Sequence, residues 1–411
     1  MNGKRKTENG KLDWIADWFE KIEPKGKWSW LWSTYDAFHT FALTPKTVTR
    51  TGSHIRDAVD SKRSIIVVVI ALLPALLFGM WNIGYQHYAA TGQLITHHSS
   101  LITYWWFGFL RMLPLIVVSY VVGLGIEFAF AQYRHHEVNE GFLATGLLIP
   151  MIVPVTTPLW QLALAVAFAV IIGKEVFGGS GMNFLNPALV ARAFLFFSYP
   201  THMSGDKVWI ADDLWGSDAI AGATPMGELA AGAHPSASAL DMLLGTIPGS
   251  TCETSVIAIA LGAILLLMTG IASWRIMLSV FIGGGLMGLL FNFLSPFTSH
   301  LSPYMELPFY YHFLMGGFAF GAVFMATDPV TAAQTNTGKW IYGLLIGAFA
   351  VLLRVCNPAY PEGMMLSILF MNCMAPLIDH CVVARNIKSR QSRLSRESRT
   401  PRTSRKEAHN G

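Results

Sequence analysis

Residues 64–85 read SIIVVVIALLPALLFGMWNIGY, twenty-two residues without a charge. About twenty apolar residues in a helix match the thickness of a bilayer's hydrocarbon core. Several further runs approach this length. Over all 411 residues, 53% are hydrophobic and 13% charged, against about 25% charged in a typical soluble domain. The chain therefore reads as an all-α, polytopic membrane protein.

Outward from that run, ten apolar segments stand out: 64–85, 108–131, 141–154, 158–173, 187–199, 253–271, 273–293, 309–326, 339–356 and 363–384. Segments 141–154 and 187–199 are too short to cross alone and are expected to recruit flanking residues or to be half-helices buried in protein. The N-terminus, MNGKRKTENGKLDW, is polar with no apolar core behind it, so no cleavable signal is expected. Cys252, Cys356, Cys373 and Cys381 form no C-x-x-C pair, which argues against a disulfide framework and a self-contained zinc or iron–sulfur site.

Basic residues set the expected orientation. Residues 1–63 carry twelve of the 29 Lys and Arg, and the tail from Arg385 carries nine. Arg134, Lys174, Arg275 and Lys339 fall beside connections on that same side. By the positive-inside rule both termini are cytoplasmic, and the polar segment 200–252 faces outward. The expected organisation is a cytoplasmic segment (1–63), a first membrane repeat (64–199), the outward loop (200–252), a second repeat (253–384) and a basic cytoplasmic tail (385–411). That tail, with Arg at 390, 393, 396, 399, 402 and 405, is expected to be disordered and to lie near anionic headgroups rather than to bind nucleic acid.

Short matches suggest duplication. Asn186-Pro187-Ala188 recurs as Asn357-Pro358-Ala359, and GFLATG at Gly141 resembles GFAFGA at Gly317. Five segments per half make the second copy inverted, an arrangement that places sites at interrupted helices.

Three constellations carry chemistry. Glu127, Asp328 and Asp379 are carboxylates in or beside apolar runs, where polar groups are costly. Each is either a hard oxygen ligand for Na+ or a proton, or the partner of a nearby base or helix end. In GKEVFGGSGMNFLNPALVARAF (173–194), glycines 178, 179 and 181 permit a close turn, after which Asn183 and Asn186 present amides at a helix start. Such a turn either holds a polar ring or anion, or is a re-entrant turn without ligand. In HHEVNEGF (135–142), Glu140 and Gly141 enter a helix beside Phe142, near the aromatic-rich N-terminal segment, which is a membrane anchor or part of a pocket for an amphipathic ring.

Together GSHIRDAVDSKR (52–63), EVNEGF, KEVFGGSGMNFLNPAL, GIASWRI, GGFAFGAVFMATDPV, NPAYPEGMML and APLIDHCVV resemble the NqrB/RnfD family, from about residue 45 to Lys388. The resemblance implies an electron-carrying subunit of a sodium-translocating NADH:quinone oxidoreductase in a bacterial inner membrane. It implies FMN joined through its phosphate to Thr224, in the pattern Asp218–Thr224 (DAIAGAT), by a flavin transferase outside the cytoplasm. It further implies riboflavin near Asn183 and Asn186, and ubiquinone near Val138, Glu140, Gly141, Phe142, Phe38 and Phe41. Glu127, Asp328 and Asp379 match acidic positions linked to Na+ passage, and the implied partners are NqrA, NqrC, NqrD, NqrE and NqrF. One departure is Gly123-Leu124-Gly125, where the family commonly has GGF. Two other readings stand beside this one: an RnfD-type subunit of a ferredoxin:NAD+ oxidoreductase, and a secondary transporter without redox groups.

Overall fold

The computed structural model describes residues 61–92, 100–134, 141–203, 209–211, 222–297, 302–357 and 363–399, with a few positions between Trp18 and Ser53. No strand occurs among them. The helices are α1 (Ser61–Ala90), α2 (Ser100–Arg134), α3 (Phe142–Ile152), α4 (Leu159–Ile171), α5 (Pro187–Ser198), α6 (Pro225–Ala230), α7 (Ala239–Leu244), α8 (Val256–Met268), α9 (Trp274–Leu294), α10 (Tyr311–Leu314), α11 (Phe318–Phe320), α12 (Asn336–Cys356) and α13 (Met364–Arg399). Each of the ten apolar segments has a helical counterpart. Six described helices are long and apolar enough to cross a bilayer, α4 when counted with its continuation to Phe177; α3, α5 and α8 are shorter, and segment 309–326 is broken into α10, α11 and a π-helical turn, Gly321–Met325.

Two compact units are present. One comprises Met1–Asn183, Pro187–Thr224 and Leu240–Ile271; the other comprises Phe184–Asn186, Pro225–Ala239 and Ala272–Gly411. In the first unit, α1 and α2 approach closely because Gly108 has no side chain: a Cβ there would sit 2.6 Å from the Met80 carbonyl carbon. The half-helix α3 is mostly buried, and its backbone oxygens are met by protein donors. Ser119 Oγ donates to Gly146 O (2.8 Å), Tyr120 Oη to Leu143 O (2.6 Å) and the Cys252 N–H to Met151 O (3.1 Å). Such satisfaction is required where no water reaches the backbone. Helix α8, which the sequence assigns to the second repeat, packs on α1, and Asn82 Nδ2 donates to Ile247 O (3.0 Å) just before it.

In the second unit, α9 and α12 are the tightest pair, with Gly347 admitting the Val280 backbone. Helix α10 ends where Gly316 and Gly317 adopt φ values of +58° and +65°, outside the range an L side chain readily enters. Three carbonyls near this break accept from one fully buried side chain: Arg354 donates to the oxygens of His312, Met315 (2.8 Å) and Gly316 (3.0 Å).

The two units share a motif. In the first, the fully buried ring of Phe142 at the start of α3 rests on Gly123 of α2, with Lys174 Nζ 5.9 Å from the ring centroid. In the second, the fully buried ring of Phe318 at the start of α11 rests on Gly284 of α9, with the Arg354 guanidinium 5.6 Å from the centroid. Glycine, phenylalanine and cation come from segment two, segment three and the residue just after segment four in one case, and from segments seven, eight and nine in the other. That correspondence matches the order of the expected repeat.

The basic tail departs from expectation. Helix α13 runs unbroken from Met364 to Arg399, so the tail is helical at least to that residue. No Gly or Pro lies between Pro376 and Pro401, and Arg is a good helix former.

Gly123→Ala would place a Cβ 2.7 Å from Phe142 Cε2, closer still to other ring atoms, whereas a Cβ at Gly125 meets nothing within 4 Å. The first substitution is expected to cost about 1–3 kcal/mol by overpacking and the second to be neutral or mildly stabilising. Thermal unfolding of the two detergent-solubilised variants checks this; equal midpoints would contradict the packing.

Candidate functional site

The turn after α4 follows its glycines. Gly178, Gly179 and Gly181 have φ of +119°, +94° and +89°, and the chain then runs through buried Asn183 and Asn186 into α5. In the second unit, Asn186 Nδ2 lies 3.4 Å from Asp328 Oδ2. Asp328 lies in the turn that Pro329 imposes after the π-helical segment. Its carboxylate accepts the Val330 N–H (3.1 Å) and the Thr331 hydroxyl (3.0 Å). The Asn372 amide, oriented to donate to Ile368 O (3.2 Å) and to accept the Asn186 N–H (3.3 Å), meets Tyr342 Oη at 2.6 Å. Asn186 and Asp328, singled out separately in the sequence, are thus neighbours within one buried polar cluster. Asn372 and Tyr342 were not foreseen.

The other two carboxylates are differently engaged. Asp379, on α13, accepts the N–H groups of Gln334 (2.7 Å) and Thr335 (3.0 Å) and the Thr335 hydroxyl. Thr335 is itself the N-cap of α12, accepting the Gly338 N–H, so Asp379 fixes the start of that helix. Glu127, on α2, forms a buried ion pair with Lys174, while Arg134 reaches Glu175 at 3.4 Å. No three His, Cys, Asp or Glu side chains converge among the described residues, so an ion held by Asp328 would draw its remaining ligands from amides, hydroxyls and carbonyls.

Of the expected quinone-site residues, Val138, Glu140 and Phe41 lie outside the described residues. Gly141 is half-buried at the start of α3. Phe142 is fully buried on Gly123, a packing position in this unit. Phe38 is exposed, its ring centroid 6.0 Å from that of Phe128.

Residues 212–221 also lie outside the described residues, but Thr224 does not. It is half-buried and immediately precedes Pro225, the first residue of α6 and a favoured helix-starting residue. In the first unit, Gly222 packs on Ile210, where a Cβ would sit 2.7 Å from Cγ1, and His87 Nδ1 lies 2.7 Å from Ala211 O. In the second unit, Tyr304 Oη donates to Met226 O at 2.7 Å. Burial pushes the Tyr304 hydroxyl up to about 12, with Arg354 opposing the rise, so it remains a donor at neutral pH. The described residues Ile210, Ala211, Gly222 and Met226 are therefore each held by contacts within their own unit.

The sequence profile of the NQR2, RnfD, RnfE family matches residues 48–388. The chain belongs to this family. Three curated members show the extent of the likeness, each named as the B subunit of a Na(+)-translocating NADH-quinone reductase. The one from Ectopseudomonas mendocina is 48% identical over 409 residues, covering 93% of this chain and 98% of the relative. That from Stutzerimonas stutzeri is 47% identical over 406 residues, with the same coverages. The third, from Chromohalobacter salexigens, is 46% identical over 401 residues, covering 92% and 96%.

For a member of the NQR2, RnfD, RnfE family, the sequence reading missed the cations and found the acids. Lys174, Arg192 and Arg354 are all buried. Arg192 Nη1 contacts both Glu253 carboxylate oxygens at 3.0 Å. An arginine or lysine beside an apolar run was the available signal; Lys174 served as a marker of orientation, and a nearby base was named as the alternative partner of each acid without singling one out.

Removing one partner of the Glu127–Lys174 pair strands a buried charge, a change that costs about 3–5 kcal/mol. Glu127→Gln is expected to lower the unfolding midpoint, and Glu127→Gln combined with Lys174→Met to recover much of it. A double-mutant cycle by thermal denaturation reads the coupling; additive losses would argue against a tight pair.

Proposed function

We propose that this chain is the B subunit of a sodium-translocating NADH:quinone oxidoreductase, with FMN attached covalently to Thr224. The observation that carries the reading is full-length similarity, 93% of this chain and 98% of the relative, to proteins of that name. The Asp218–Thr224 pattern and the small residues Gly222 and Ala223 beside the threonine support the attachment site. The flavin supplies electron transfer that no protein side chain here provides. Tyr304 and Ile210 hold the neighbouring backbone.

Buried Asn183 and Asn186 are the groups that would hold riboflavin, since their amides can both donate to and accept from a polar heterocycle. Val138, Glu140, Gly141, Phe142, Phe38 and Phe41 border the quinone site in this reading, Phe142 by fixing the start of α3. Asp328 is the carboxylate best suited to meet Na+, because Thr331 and Asn186 bring polar groups to it and Pro329 frees nearby carbonyls. Glu127 is neutralised by Lys174, and Asp379 holds the start of α12 at the mouth of the proposed path. Both termini face the cytoplasm and Thr224 the outside of a bacterial inner membrane. The neighbouring subunits NqrA, NqrC, NqrD, NqrE and NqrF supply NADH oxidation and the remaining redox groups.

In-gel flavin fluorescence after denaturing electrophoresis tests the first claim. Protein made alongside its flavin transferase should give a fluorescent band that Thr224→Ala abolishes; a persisting band would falsify the assignment. For the ion path, Asp379→Ala should slow Na+-stimulated quinone reduction and raise the Na+ concentration needed for half-maximal rate. Thr335→Val removes two hydrogen bonds of the same cap, the one given to Asp379 and the one taken from the Gly338 N–H, but no charge. Equal Na+ dependence in these two variants assigns Asp379 a purely structural part.

A further inference from the structure

The peptide that follows Thr224 is held by an unusual set of contacts, all within the second unit. Met226, two residues on, is buried. Its carbonyl oxygen accepts the hydroxyl of Tyr304, a side chain with no exposed surface. Its thioether lies against Gly316, where a Cβ would overlap Sδ and sit 3.0 Å from Cε. Gly316 is thus glycine for two independent reasons, its φ of +58° and the methionine on its face. The Gly316 carbonyl in turn accepts from Arg354 Nη2, which also holds Met315 O, while Nη1 holds His312 O. The helix break is therefore clamped by one guanidinium, and the break carries the methionine that follows the threonine.

A loop needing only to be reached by a modifying enzyme has no use for this fixation. A residue carrying an electron-transfer group does, because the transfer rate falls with the distance between redox groups and the flavin's potential depends on its surroundings. We propose that Tyr304 and Arg354 are positioning residues for the flavin borne by Thr224. Tyr304 fixes the backbone at Met226, and Arg354 fixes the Gly316 surface on which Met226 rests. This rests on the assignment of Thr224 as the attachment site. The motif shared by the units gives Arg354 two roles. As the cation over Phe318 it matches Lys174 over Phe142, but it binds backbone carbonyls where Lys174 binds Glu127.

The test uses the intact complex with Tyr304→Phe, which deletes one hydroxyl from a buried ring, and Arg354→Lys, which keeps the charge but loses the planar fork. In-gel flavin fluorescence per mole of protein reports attachment. The midpoint potential of the covalent flavin and the rate at which NADH bleaches its visible band report its placement. Expected is attachment equal to wild type, with a shifted potential and flavin reduction slowed severalfold. Unchanged potential and rate in Tyr304→Phe overturn the proposal. Should Arg354→Lys fail to assemble, Met226→Ala, which removes the contact on Gly316 while keeping the carbonyl that Tyr304 holds, must show the same shift for the idea to survive. Thr224→Ala run in parallel separates the two claims: if it keeps its fluorescent band the attachment reading fails, whereas a lost band with normal Tyr304→Phe behaviour removes the positioning role alone.

Discussion

Every break in a helix within a bilayer frees carbonyl and amide groups that water cannot reach, and the protein must supply their partners. This chain meets the constraint twice with side chains of its own. Around α3 the donors are the hydroxyls of Ser119 and Tyr120 and the backbone of Cys252. At the Gly316–Gly317 break, Arg354 serves three carbonyls. A guanidinium suits this work because it carries several fixed donors and stays ionised. Its charge also faces the Phe318 ring. Interrupted helices are the elements on which the chemistry is proposed to sit, so these donors underlie the function as well as the fold.

The recurring glycine–phenylalanine–cation arrangement gives the duplication physical content. Short matches such as GFLATG and GFAFGA arise readily by chance. It is harder for chance to place both phenylalanines on a helical glycine of the preceding long segment and under a cation of the next. The two copies then diverge in how the cation is compensated. Lys174 is matched by a carboxylate, and Arg354 by peptide dipoles.

Much of the fold was legible because bilayer length is a one-dimensional signal. All ten apolar segments have counterparts, and the short ones at 141–154 and 187–199 are indeed short, mostly buried helices. The site was legible in part. Asn186 and Asp328 stood out as expensive residues beside glycine and proline, but their meeting depends on tertiary packing across 142 positions. Tyr304 was invisible because a tyrosine in a polar connection carries no pattern. The packing of Phe142 on Gly123 was not legible, because the glycine lies on another helix. The tail was misjudged because composition suggested disorder, whereas the absence of any helix breaker after Pro376 lets α13 continue.

That continuity makes α13 a lever. Beyond Pro376 it runs 23 residues to Arg399, about 35 Å at the rise of a helix. Proline removes one backbone hydrogen bond and is where such a rod bends. Asp379 lies one turn past it, bonded to the start of α12. A tilt of about 10° at that point would swing the arginine-bearing end by roughly 6 Å, on the geometry of a straight helix. A displacement beside Asp379 would thereby be magnified at the basic end of the helix.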